Sequence, residues 1–281
     1  MMTKGKNIKL QNTAAKLPAD MLFLILACIV IIPVLWLVLS SLKPEKEITS
    51  YPPTFIPHAF TMNNFIAVSK RIKIWRYALN SLIYAGGTTA IAVFVNSLAG
   101  YVYARYTFPG KNLCFLITLA TMMIPFQVIM IPLFLIVHKL GLYDTYGGLI
   151  IPRIAVATSI FMMRAAFSGI PKELEDAGRI DGLSEFGIFL RIMLPQVKPA
   201  LICLFILSFN GSWNDLLWPM LAASKTDMRT LANGLALFVG EYTVQYGAAF
   251  AGAVISLLPM LLMYIFGQKY FVQGMASSGL K

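Results

Sequence analysis

Glu173, Glu175 and Asp176, followed by a further acid and a glycine at Asp181 and Gly182, form a dense acidic group inside a polar stretch that runs from Pro171 to Pro199. Pro171 suits a first helical turn, where its missing N–H costs nothing, and the carboxylates that follow favour the positive end of a helix. Leu174, Ala177, Gly178 and Asp181 then recur at i, i+3, i+4 and i+7, a side made mostly of small residues that admits a close partner. Gly182 ends that helix. Leu183, Phe186, Gly187, Leu190 and Leu194 repeat at helical spacing beyond it and predict a second, amphipathic helix that Pro195 and Pro199 stop. The chemistry this pattern supports is docking against another protein.

Groups for bond-making chemistry are missing from the sequence. His58 and His138 stand alone, without a carboxylate or cysteine at ligand spacing, so neither a metal site nor a general base is expected. Cys28, Cys114 and Cys203 each lie singly in an apolar run and read as small buried hydrophobes. A phosphate-binding G-x-x-x-x-G-K-[ST] stretch does not occur, since Gly110-Lys111-Asn112 lacks both the glycine spacing and the hydroxyl. The chain is therefore not expected to be an enzyme or to hold a nucleotide, and no catalytic residue is assigned.

The elements that must position the polar stretch are membrane spans. Of the 281 residues 58% are hydrophobic and 12% charged, and mean hydropathy is +0.73, where soluble domains average about 25% charged. Six apolar runs reach the roughly 20 residues that cross a bilayer: 21–42, 79–104, 113–137, 149–168, 199–221 and 249–272. The first lacks a small-x-small cleavage site and is expected to stay as an anchor. The fold expected is an all-α bundle of six transmembrane helices over 21–281, with a tail over 1–20 and the polar loop over 169–198. The formal charge of +11 is assigned to cytoplasmic loops and anionic lipid, not to nucleic acid, because no basic cluster outside the spans pairs with stacking aromatics. Lys4, Lys6, Lys9 and Lys16 put the N-terminus in the cytoplasm, and an even span count puts the C-terminus there too. Lys70, Arg71, Lys73 and Arg76 are the dissenting charges, and their interleaving with Ile72, Ile74 and Trp75 predicts an interfacial segment.

Asp176-Ala177-Gly178, three residues, Gly182, nine residues and then Ile192-Met193-Leu194-Pro195 resembles the EAA loop of bacterial ABC importer permeases, EAA-x3-G-x9-I-x-L-P. The longer run from Glu175 to Pro199 is similar to that of the carbohydrate branch, specifically the second permease subunit of maltose-type transporters. The likeness extends to Asn80-Ser81, Tyr103-Ala104-Arg105, Phe108-Pro109-Gly110-Lys111, Pro125, Pro132, Leu140-Gly141-Leu142 with Thr145, Ser212-Trp213-Asn214-Asp215 and the ending Phe271 to Lys281. Asp176 stands where the family has Glu, keeping the charge on a shorter stem. Gly178 stands where it has Ala, which weakens the helix by about 1 kcal/mol.

The resemblance implies a multi-pass permease of the bacterial cytoplasmic membrane, of the type I ABC importer fold. It would pair with a second permease subunit, a paralogue, with two ATPase subunits that bind ATP and Mg, and with an extracytoplasmic sugar-binding protein. Glu175, Asp176, Ala177, Gly178, Asp181, Gly182, Leu194 and Pro195 would then couple to an ATPase. Asn210, Trp213, Asn214 and Asp215 would line a sugar path, with amides and a carboxylate for hydroxyl groups and an indole to stack on a ring; interfacial anchoring and interhelical bonding are the plainer roles for the same side chains. Phe238, Tyr242 and Tyr246, on the outward loop from Ala222 to Gly247, are candidate contacts for the binding protein. Two alternatives stand beside this reading. An ion-driven carrier needs ionisable groups at the membrane midplane, which the middles of these runs lack, and a non-transporting scaffold needs no fixed acid-glycine-Leu-Pro register.

Overall fold

The computed structural model describes residues 4–239 and 245–279, with side chains placed over 20–239 and 245–268. No β-strand occurs among the described residues, and the all-helical expectation holds. The chain divides into two compact units, residues 1–71 with 238–255 and residues 72–237 with 256–281.

In the first unit the opening apolar run becomes one helix, α1 (Lys4–Ser41), whose Asp20–Ser41 portion is long and apolar enough to cross a membrane. Two short helices follow, α2 (Glu45–Ile48) and α3 (Asn63–Arg71). Polar side chains fasten them. The buried Asn64 amide donates to the carbonyls of Ser41 and Lys43, both at 2.8 Å. Glu45 accepts from the backbone N–H groups of Tyr246 and Gly247 at 2.8 and 2.9 Å, the place a carboxylate takes at a helix start. Phe238 is buried, with the Arg71 guanidinium 5.2 Å from its ring centroid.

The second unit is organised around α4 (Ile74–Arg105), which packs on α8 (Ala157–Ser168) and α12 (Lys198–Trp213). Between the buried Tyr84 and Tyr101 its buried stripe is small or polar: Ala85, Thr88, Thr89, Ala92, Asn96, Ser97 and Gly100. In lipid, helices associate by close backbone approach rather than by expelling water, so small residues mark the contact. At Gly100 the approach leaves no room for a side chain, since an added Cβ would sit 2.6 Å from Met163 Cβ and 2.8 Å from the Arg164 nitrogen. The basic cluster Lys70 to Arg76 falls where α3 ends at Arg71 and α4 begins at Ile74. There Lys73 bonds Asp227 at 2.7 Å, and that bond holds the Asp227 carboxyl below its usual range. Arg76 and Asn80 reach the Asp227 carbonyl, and Ser81 accepts from Leu231 at the start of α14 (Leu231–Ala236).

Three of the six expected spans are not straight. Asp20–Ser41, Ile74–Arg105 and Tyr246–Gln268 are uninterrupted, the last within α15 (Tyr246–Gly279). By contrast α5 (Lys111–Ala120), continued to Met123, meets α6 (Phe126–Lys139) at 104°, and α7 (Tyr146–Ile150), continued to Arg153, meets α8 at 51°. The run expected as 199–221 is α12 alone, which stops at Trp213 and is followed by the short α13 (Leu217–Ala222). Each break has a cause. Pro125 supplies no N–H at the first. At the second, the buried Asn96 amide donates to Ile154 O and accepts from Val156 N, both at 3.0 Å, satisfying backbone that the helix has released. At the third, Asp215 Oδ1 accepts from Trp218 N at 3.3 Å. Of the cysteines, Cys203 is buried as expected, while Cys28 and Cys114 lie on outward faces, where a small apolar thiol suits lipid.

Candidate functional site

The polar loop folds into two helices joined by a tight turn. α9 (Glu173–Ile180) carries its three acids in the first turn. It ends in a reciprocal pair of bonds, Leu183 N to Gly178 O and Gly182 N to Arg179 O, both 3.0 Å, with Gly182 at φ +75°. This is the left-handed C-terminal cap that glycine adopts without steric cost. Ser184 then caps α10 (Glu185–Ile188) by accepting from Gly187 N at 3.2 Å. The helix continues through a π turn over Phe189–Met193 into α11 (Leu194–Gln196). The spacing predicts that Pro195 stops the helix, and it does not; the wider π turn accommodates a residue that lacks an N–H and crowds the carbonyl four residues back. The chain turns instead at Val197, and α12 leaves at 86° with Pro199 in its first turn.

The side of α9 expected to meet a partner is only partly the outward one. Glu175 and Gly178 are buried. Glu175 pairs with Arg105 at the end of α4, Nε to Oε2 at 2.9 Å, with both side chains 6% exposed. Arg105 also donates to the carbonyls of Ile170 at 2.9 Å and Pro171 at 3.2 Å. Gly178 lies under the second helix, where a Cβ would come within 2.5 Å of Ile192 Cδ1 and 3.1 Å of Ile188 Cγ1. The absence of a side chain at position 178 is thus matched to two isoleucines. Asp176, Ala177, Asp181, Gly182 and Pro195 face outward, and Leu194 is half-buried. Ile180, which the spacing argument passed over, is 87% exposed at the tip of α9; its place two residues from Gly178 was the available signal, because i and i+2 cannot share a helix face.

A second network ties the loop's outer face. Arg179 bonds Asp176 at 2.7 Å and Glu185 at 2.7 and 3.1 Å, and the Tyr106 hydroxyl donates to Glu185 at 2.6 Å. The Arg179 and Tyr106 bonds hold the Glu185 carboxyl at about 2. Beneath it, Ile188, Phe189, Met193 and Val197 share one apolar cluster with Tyr101, Met163, Phe167 and Leu204. The second loop helix is therefore part of the core and does not merely rest on the membrane surface.

The four candidate path residues separate into two pairs. Asn210 and Asn214 are exposed one turn apart and bonded to each other at 2.7 Å. Trp213 is buried, donates to Ser256 O at 3.1 Å and stacks on Phe209 at 5.7 Å. Asp215 is half-buried with its side chain only 8% exposed, accepting from the Tyr84 hydroxyl at 2.9 Å with Arg153 at 3.3 Å. Of the residues considered for the outward loop, Phe238 is buried, Tyr246 is exposed and Tyr242 lies outside the described residues. No group of three or more metal-ligating side chains occurs among the described residues.

Residues 92–277 match the family model described as binding-protein-dependent transport system inner membrane component. The chain is 38% identical to the arabinooligosaccharides transport system permease protein AraQ of Halalkalibacterium halodurans, over 92% of this chain and 94% of that one. It is 32% identical to the lactose transport system permease protein LacG of Rhizobium radiobacter, over 88% and 90%. Among solved structures, a bacterial ABC transporter involved in the import of the acidic polysaccharide alginate superposes with a TM-score of 0.78 at 22% identity, covering 93% of this chain and 98% of that one. On the family model and these relatives, the chain belongs to the family of binding-protein-dependent transport system inner membrane components.

Proposed function

We propose that this chain is the membrane-spanning permease subunit of an ATP-driven carbohydrate importer and that the loop over 171–199 couples it to an ATPase subunit. The observation that carries the coupling role is the division of α9: one face is welded to α4 through Arg105 and Glu175, while Asp176, Ala177, Ile180 and Asp181 are left outward. A loop held this way moves as a rigid piece. When two ATPase subunits close on ATP and Mg, the loop follows, and α4, α8 and α12 tilt with it between inward- and outward-open arrangements, biased by nucleotide. In this reading the nucleotide belongs to the partners and this chain holds no cofactor.

A second permease, a paralogue, completes the path, and an extracytoplasmic sugar-binding protein delivers substrate, in keeping with the family's description. Carbohydrate is supported by the transport roles for which the relatives are named. Asn210 and Asn214 are the path residues kept, because they alone of the four are free to meet solute. Trp213 and Asp215 hold the end of α12 in place. The placement is the cytoplasmic membrane with both termini inside.

The test is uptake by the assembled transporter in proteoliposomes. Transport should require ATP on the loop side and persist when proton and sodium gradients are collapsed. Uptake abolished by an ionophore at constant ATP would overturn the proposal in favour of an ion-coupled carrier, and assembly without any nucleotide-dependent uptake would leave only a scaffold.

A further inference from the structure

At the end of α4 that carries Arg105, the start of α5 and the last turns of α8 enclose an open cavity of about 450 Å³, lined in part by Thr107, Lys111, Asn112, Leu113 and Arg164. Lys111 and Arg164 are both half-buried. The Arg164 guanidinium has neither a carboxylate nor a hydrogen-bond acceptor among the described residues and lies against the Phe115 ring, 3.9 Å from its centroid. Lys111 donates one bond to Tyr106 O at 2.7 Å, which leaves two donors unused. No acidic residue lines the space. Two partly desolvated cations converging without a counter-charge favour an anion between them.

The surroundings say what kind of anion. Leu113, Leu116 and Ile117 are exposed on one face of α5, at i, i+3 and i+4, and lead away from the cavity along the helix. Arg164 lies within a turn or so of the end of α8, which puts the cavity at the membrane edge with that apolar face running inward from it. A charged pocket continuous with an apolar strip fits an amphiphile. We propose that this cavity binds the phosphate of an anionic phospholipid, held by Arg164 and Lys111, with its acyl chains along Leu113, Leu116 and Ile117. Basic pockets between transmembrane helices on the cytoplasmic side are suited to such headgroups. The Thr107 hydroxyl and Asn112 amide add donors for the glycerol oxygens. Free phosphate shares the charge but has no use for the strip.

The experiment takes the assembled transporter in nanodiscs containing a photoactivatable phosphatidylglycerol or the matching phosphatidylcholine, cross-links, and quantifies lipid on the peptide spanning 107–117. Phosphatidylglycerol should label several-fold more than phosphatidylcholine. Lys111→Gln and Arg164→Gln should each lower that labelling about fivefold, the scale of one cation at an anionic surface. Arg164→Lys should largely keep it, and Lys172→Gln, on the exposed loop, should leave it unchanged. Because Lys111 opens α5 at its surface, its variant reports even if Arg164→Gln disturbs packing. Equal labelling by the two lipids, or unchanged labelling in Lys111→Gln, overturns the site. Displacement of phosphatidylglycerol by excess inorganic phosphate overturns the lipid assignment and makes it a site for free phosphate. None of these readouts depends on transport.

Discussion

Replacing Arg105 with methionine should release α9 from the bundle without unfolding it. The change leaves Glu175 6% exposed and without its 2.9 Å partner, and it strips the Ile170 and Pro171 carbonyls of their donors. Breaking one side of a buried pair costs about 3–5 kcal/mol, because the surviving charge stays desolvated. Taking the lower figure and about 1.4 kcal/mol per tenfold, the equilibrium for lifting α9 should rise roughly 150-fold. Ile188 is fully buried against Gly178, so a cysteine there, with Cys28, Cys114 and Cys203 replaced, becomes an opening probe. Its labelling rate by a hydrophilic thiol reagent should rise by about two orders of magnitude in Arg105→Met. In the double variant Arg105→Met, Glu175→Leu most of that rise should vanish, since the uncompensated carboxylate is gone. Labelling of the single variant within about threefold of the parent would refute the claim that this pair anchors the loop, whatever happened to uptake.

Gly182→Val should abolish nucleotide-driven uptake while sparing membrane insertion. The position sits at φ +75° with open space around it, so backbone strain of about 1–3 kcal/mol and not a clash is the cause, and Gly182→Asn should be tolerated. Asp215→Asn should lower the thermal stability of the purified transporter and leave sugar affinity unchanged, whereas Asn210→Ala and Asn214→Ala should do the reverse in uptake assays. The difference in thermal stability between the parent and Glu185→Gln should shrink as pH falls from about 4.5 towards about 2, because a carboxyl held low in the folded state stabilises only while it is ionised. A cysteine at Glu185 should react with an impermeant reagent only from the cytoplasmic side and one at Tyr51 only from outside; the opposite pattern would place the loop beyond reach of an ATPase.

The loop's outline was legible because its punctuation is local. Gly182 acts within a turn of itself, so two helices and the joint between them follow from residue types alone, although α9 begins at Glu173 and not at Pro171. Which way α9 faces was not legible. The residues that decide it, Arg105 and the Ile188 and Ile192 pair, lie as far as 70 positions away in sequence, and helical spacing is silent on partners at that range. The packing role of Asp215 was hidden for the same reason: Tyr84, 131 residues earlier, donates to its carboxylate. The breaks in the spans were hidden differently. Window hydropathy counts apolar residues, and it cannot see that a single buried amide at Asn96 is enough to hold a helix open at Ile154 to Val156.

Under the proposed coupling role, the fit of Gly178 beneath Ile192 sets a limit on how the loop could be re-engineered to accept a foreign ATPase. A graft of the whole 171–199 segment that brought a side chain to position 178 would also carry away the isoleucines that this chain's own core has grown around. On that reading, specificity and architecture are written on opposite sides of the same two turns. An exchange confined to Asp176, Ala177, Ile180 and Asp181 would alter what the loop presents, while Glu175, Gly178, Ile188 and Ile192 continued to seat it.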